Sequence, residues 1–129
     1  MARFLSHEWL AELNGAIASE EEVRQAGSGV HLTLQQVVVG ADGSATCYST
    51  RVDDGLVELT PGRAEGADVT ITEDYDTAAA LAQGKTTPQD AILAGKVRVS
   101  GNLRALLAGQ EVLDQVRSRF EDVRARTEY

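Results

Sequence analysis

Between Ala67 and Leu107 the spacing of apolar residues alternates between the two-residue period of a strand and the roughly 3.6-residue period of a helix. A glycine or proline stands at most of the junctions. Ala67-Asp68-Val69-Thr70-Ile71-Thr72 turns Val69 and Ile71 to one side, as a half-buried strand does. Thr72-Glu73-Asp74 reads as the start of a helix that runs through Tyr75, Ala78, Ala79, Leu81 and Ala82 to Gly84. Thr87 then caps a second helix, with Pro88 at its first position and Asp90 at its third, and Gly95 stops it. Val97 and Val99 form the inward side of another strand, and Gly101-Asn102 opens a last helical region with Leu103, Leu106 and Leu107. Because helices separate the two strands, a crossover and a parallel pair are expected there.

The remainder reads as wall and lid around this unit, in one domain over residues 1–129. Aromatic residues make up 5% of the chain, so the core is expected to be built from Leu, Val, Ile and Ala. Ser6 caps a first helix whose stripe is Leu5, Trp9, Leu10, Leu13 and Ile17. Ser19-Glu20-Glu21-Glu22 is a capping box for a short helix ending near Ala26. From Val30 the period becomes two, and the change of phase at Gln36-Val37-Val38-Val39 predicts a bulge. Asp42-Gly43 and Asp53-Asp54-Gly55 are hairpin turns, so three antiparallel strands precede Ala67. A C-terminal amphipathic helix is expected over 111–126, with Val112, Val116, Phe120 and Val123 in one sector and arginines along both borders.

Several activities are excluded by what the pattern lacks. Net charge is −8, the wrong sign for nucleic acid. Residues 1–84 carry 4 basic and 14 acidic side chains, whereas residues 85–129 carry 8 basic and 6 acidic, so the second part suits transient contact with an anionic membrane surface. His7-Glu8-Trp9-Leu10-Ala11 has alanine where a zinc-protease helix needs its second histidine. Gly84-Lys85-Thr86 has Ala79 where a phosphate loop needs its first glycine. With two histidines and the single Cys47, read as a small buried residue, no metal centre or cofactor is expected. Glu58, Glu65, Asp68, Glu73, Asp74 and Asp76 could do acid–base work, but each sits where an exposed strand face or a helix N-terminus explains it. Enzymatic activity is therefore not expected. No apolar run is long enough for a signal peptide or a membrane span, and the chain ends Thr127-Glu128-Tyr129 instead of in a peroxisomal address, so a cytoplasmic location is expected.

Ala67-Asp68-Val69-Thr70-Ile71, Gly84-Lys85, Pro88-Gln89-Asp90-Ala91 and Gly95-Lys96-Val97-Arg98-Val99-Ser100-Gly101-Asn102 together resemble the sterol carrier protein type-two domain, the non-specific lipid-transfer family, in a bacterial-type single-domain form. The resemblance extends from about Ser6 to Val123. It implies an α+β fold: a five-stranded mixed, mostly antiparallel sheet with helices packed on one face and an apolar tunnel between them. It also implies binding or transfer of a hydrophobic ligand such as a fatty acid, acyl-CoA or sterol-like lipid. The residues expected to face that ligand are Leu81, Ile92, Leu93, Val97, Val99, Leu103, Leu106, Leu107, Val112, Val116 and Phe120, with Arg117 and Arg124 at its headgroup. Thr77-Ala78-Ala79-Ala80 departs from the family's bulkier helix, which either widens the tunnel or closes it. The alternative is a non-catalytic interaction or homodimerisation module, docking through Leu113, Val116, Phe120 and Val123.

Overall fold

Leu32, Leu34, Gln36 and Val38 share one face of the strand on which the molecule is built. The computed structural model describes residues 2–18 and 20–129. Its elements in order are β1 (Ala2–Arg3), α1 (His7–Ile17), α2 (Glu21–Ala26), β2 (His31–Val39), β3 (Ala45–Asp53), β4 (Leu56–Pro61) and β5 (Val69–Asp74). They are followed by α3 (Tyr75–Ala82), α4 (Pro88–Leu93), β6 (Val97–Gly101), α5 (Leu103–Ala108), α6 (Gln110–Arg124) and β7 (Thr127–Glu128). The five-stranded sheet has the order β4-β3-β2-β5-β6, which puts β2 at its centre. The α+β class, the mixed sheet and the helices on one face are as the sequence implies.

Three local expectations are corrected. The β2–β3 register is unbroken from His31↔Asp53 to Val39↔Ala45, so there is no bulge. The apparent change of phase arises because Gln36 keeps its place on the inner face although it is polar. The parallel pair is β2 with β5, while β5 and β6 are antiparallel. Helices α3 and α4 return the chain to the end of β5 from which it left, so β6 runs back beside it. Thr72, Glu73 and Asp74 belong to β5, and Asp74 is the cap of α3, accepting from the Thr77 N–H at 2.7 Å.

Helix boundaries follow side-chain capping. Ser6, Thr87 and Asn102 accept from the N–H groups of Trp9, Asp90 and Ala105. The capping box expected at Ser19 lies outside the described residues; Glu20 occupies the cap position of α2 and makes no side-chain capping bond. The long C-terminal helix spans Gln110–Arg124, starting one residue earlier than expected and stopping two earlier. Its chain then forms β7, which lies parallel to β1 in a two-stranded ribbon that no local pattern announces. Glycine is required at Gly101, where φ is +109° and a Cβ would lie 2.4 Å from the Asp68 carbonyl oxygen. That contact lets the Asn102 N–H bond Asp68 O at 2.8 Å and finish the β5–β6 pair.

The core lies between the helices and the inner sheet face: Leu32, Leu34, Val38, Tyr48, Val52, Leu59 and Val69 meet Trp9, Leu13, Ala78, Val112, Val116 and Val123. All six aromatic residues join in one stacked cluster, in which Phe4 contacts Trp9, Tyr75 and Tyr129, and Trp9 contacts Tyr48 and Phe120. Scarcity in composition therefore hid their weight. Asn14 ties α1 to β4, donating to Leu59 O and accepting from Leu59 N–H, each at 2.8 Å. Asn14→Ala leaves both Leu59 groups without those partners and should lower stability by about 1–3 kcal/mol, read as a reduced urea midpoint at constant slope. Cys47, expected to be buried, is half-buried on the outer sheet face opposite Val37.

Candidate functional site

The chain has to bury the inner face of its sheet, but small residues on α3 leave part of that face uncovered. Ala78 of α3 borders a cavity of about 350 Å³ between sheet and helices. Its helical wall is Ala78 and Leu81 of α3, Pro88, Gln89 and Ile92 of α4, Leu106 and Leu107 of α5, and one face of α6. Strand β6 adds Val97 and Val99, and the aromatic cluster adds Phe4, Tyr48 and Phe120. Kept dry and empty, such a space would cost on the order of 8 kcal/mol, comparable to the net stability of a domain. It is open at its rim, where Ile92 and Leu107 are 50% and 68% exposed. A second cavity of the same volume lies between α1, α2 and the β3–β4 hairpin. Arg24, Arg51, Asp53 and Glu58 on its walls make it a charged surface recess.

Of the residues expected to face a ligand, Leu81, Ile92, Val97, Val99, Leu106, Leu107, Val116 and Phe120 line the first cavity together. Leu93 and Leu103 do not; they point into solvent at 86% and 56% exposure, because α4 and α5 each have only one face against the protein. Val112 is fully buried but packs beside Gly27 at the end of α2, off the cavity. Arg117 reaches the cavity rim and pairs with Asp114. Arg124 pairs with Glu121 at 3.8 Å and lies off the cavity. Arg119, unassigned by the sequence, is held by Glu20 at 3.2 Å and by Asp122 at 3.7 Å, and so fastens α6 to the start of α2. The seam proposed for docking is turned inward: Val116 and Val123 are buried and Leu113 and Phe120 pack against the core.

Sequence reasoning missed the floor of the cavity. The inner face of β2, β3 and β5 presents Gln36, Tyr48, Thr50 and Glu73 among the aliphatic residues. Gln36 is in register with Tyr48 on one side and Ile71 on the other. Glu73 pairs in register with Val38 and Val97 and is 7% exposed. Burial, reinforced by the charge of Asp74, pushes the Glu73 carboxyl up to about 7. Its neighbour Asp74 goes the other way, held below the usual range by hydrogen bonds from Thr77. Burial also raises the Tyr48 hydroxyl, with the charge of Glu73 adding to it. The signal was present in the alternation Val69, Ile71, Glu73, which places Glu73 on the inner face once the strand is continued by two residues.

Residues 12–114 match the SCP-2 sterol transfer family. The chain belongs to that family. Membership assigns lipid binding or transfer, in general terms, as its class of activity. Among solved structures, a crystal structure of sterol carrier protein 2 superposes with a TM-score of 0.75 at 18% identity, over 91% of this chain and 96% of that one. A conserved hypothetical protein from Thermus thermophilus gives 0.67 at 21% identity, over 89% and 88%. Palmitated SCP2L2 from Aedes aegypti gives 0.56 at 22% identity, over 83% and 90%. These likenesses establish the sterol carrier fold. No curated protein sequence matches this one significantly. Among the described residues no helix is long and apolar enough to cross a membrane, and no cluster of three or more metal-ligating side chains occurs.

Proposed function

We propose that this member of the SCP-2 family is a carrier that takes up a long-chain lipid, a fatty acid or acyl-CoA among them, in the cavity beneath α3–α6. The observation that carries the reading is the open cavity of about 350 Å³ with mostly aliphatic and aromatic walls. Burying a palmitoyl chain releases roughly 12 kcal/mol gross at ~0.8 kcal/mol per methylene, before the costs of ordering. Leu81, Ile92, Val97, Val99, Leu106, Leu107, Val116 and Phe120 would contact the chain. Arg117, the one cation among the described lining residues, would meet an acidic headgroup at the rim. The palmitated relative from Aedes aegypti supports a ligand of this shape.

The same surface favours a membrane as donor or acceptor. Among the described residues, four of the five exposed large hydrophobic side chains, Ile92, Leu93, Leu103 and Leu107, come from α4 and α5, the helices that carry the rim. Between residues 85 and 109 the chain has Lys85, Lys96, Arg98 and Arg104 against the single acid Asp90, in a protein of net charge −8.

Displacement of a dansylated fatty acid, with native mass spectrometry of the freshly purified protein, tests the reading. Saturable binding is expected in the native protein, and Ala78→Trp, which fills the cavity from α3, should abolish it while the circular dichroism spectrum stays native. Unsaturable binding, or binding indifferent to Ala78→Trp, would overturn the assignment.

A further inference from the structure

The floor of the cavity contains more polar chemistry than a hydrocarbon tail can use. Glu73 and Tyr48 are 7% and 4% exposed, and both line the open space. Neither the Glu73 carboxyl nor the Tyr48 hydroxyl is among the polar atoms sealed away from any occupant; both open onto the cavity, where an occupant can reach them. Gln36 stands between Tyr48 and Ile71 on the same face, and Thr50 lies one inward-facing position beyond Tyr48 on β3. Buried polar groups without partners are costly, so a ligand that supplied one would gain by it.

We propose that Glu73, Gln36 and Tyr48 form a subsite for a hydroxyl group on the inserted chain of the lipid, making the preferred ligand a hydroxylated long-chain acid. The inference rests on the lipid-binding reading above. A second carboxylate is the wrong occupant, because Glu73 and Asp74 already place acids at that end of β5, and Arg117 is at the rim and paired with Asp114. A buried ammonium would have to be fully dehydrated, a much larger cost than that of a neutral group. The side-chain amide, the phenol and a carboxyl group together offer both donors and acceptors, whichever state the carboxyl is in. A hydroxyl group, which donates and accepts at once, complements that set. The acid head then remains at the rim beside Arg117, and the tail enters first.

The test compares stearic acid with mid-chain hydroxystearic acids by displacement of the dansylated fatty acid. In a plain apolar pocket the added hydroxyl weakens binding; here at least one positional isomer should bind as tightly as stearic acid or more tightly. Glu73→Leu and Gln36→Leu should each shift the ratio of the two affinities toward stearic acid by about tenfold, the order expected for one hydrogen bond with its buried partner. Glu73→Gln, which still donates and accepts, should keep the preference. Binding of stearic acid by each variant shows that the cavity is intact. If both acids bind and every hydroxy isomer is weaker by the same factor in the native and Leu variants, the subsite is overturned while the carrier reading stands. If neither acid displaces the probe in the native protein, both fall.

Discussion

Trp9→Ala is expected to lower the unfolding free energy by about 3–5 kcal/mol, a large share of what holds such a domain together. Trp9 is 0% exposed and meets Phe4 edge-on at 4.8 Å between ring centroids, Phe120 at 5.5 Å and Tyr48 edge-on at 6.0 Å. Each such pair adds about 0.5–1.5 kcal/mol beyond the area it buries, and the substitution removes three at once. It also leaves a void behind Tyr48 and Phe120, which are both cavity walls. Urea unfolding followed by circular dichroism measures the loss, since the variant has no tryptophan to report by fluorescence. Trp9→Phe should cost less, because the ring stack is partly kept and the indole Nε1, which has no hydrogen-bond partner, is removed. Ile92→Ala, at a side chain already half exposed, should stay below about 1 kcal/mol. Equal losses at Trp9 and Ile92 would contradict a core centred on the aromatic cluster.

The second large effect is one of pH. Glu73 titrates near 7 in the folded chain against an ordinary value of 4.5, because burial and then the charge of Asp74 oppose its ionisation. Below about pH 4.5 both folded and unfolded chains hold the proton, and Glu73 adds no pH dependence. As pH rises toward 7 the unfolded chain releases the proton and the folded chain retains it, so stability falls with pH across that window. The full fall is about 3 kcal/mol, from ~1.4 kcal/mol per unit of difference. Above 7 both forms are ionised and the decline ends. Tyr48 and, at the rim, the paired Asp114 and Arg117 line the same space, and Asp74 is the next residue along β5. Tyr48 remains neutral throughout the window, its hydroxyl being raised above its usual value. Glu73→Gln should abolish this part of the slope and leave the variant more stable than the native protein at about pH 8. Unfolding curves at several pH values decide it; parallel slopes in both proteins would refute a buried, proton-holding Glu73.

The sequence made the elements legible where local chemistry is strong. Ser6, Thr87-Pro88 and Gly101-Asn102 mark helix starts without reference to anything distant, and the hairpin turns at Asp42-Gly43 and Asp54-Gly55 fix β2 to β4. The family likeness adds the number of strands and the mixed character of the sheet, and the structure adds their order. What escaped depends on contacts between residues far apart in the chain. Whether β6 runs parallel or antiparallel to β5 is decided by how α3 and α4 pack, and their own residues do not state it. Gln36 reads as a break in the strand's phase and Glu73 as a helix start, because a polar residue ordinarily faces water. Here polar side chains face an internal cavity, so the rule inverts at the cavity floor. Leu93 and Leu103 show the opposite case: apolar character alone does not set an inward direction, because helices of one or two turns bury only a narrow stripe. Arg119 illustrates the remaining gap, since its partner Glu20 is almost a chain length away.

The β1–β7 ribbon sets limits on how the cavity can open. Phe4 N–H bonds Glu128 O at 2.9 Å and Ala2 N–H bonds Arg126 O at 2.8 Å, so the far end of α6 is anchored to the segment that leads into α1. Arg119 adds a fastening midway along the helix. A roof pinned at those points cannot swing aside as a hinged lid without first undoing the aromatic cluster beneath it. Helices α4 and α5 have six residues each and exposed outer faces, the kind of element whose local unfolding costs least. On the carrier proposal, entry is expected on the α4–α5 flank, and hydrogen exchange should then show faster amides in α4 and α5 than in α6.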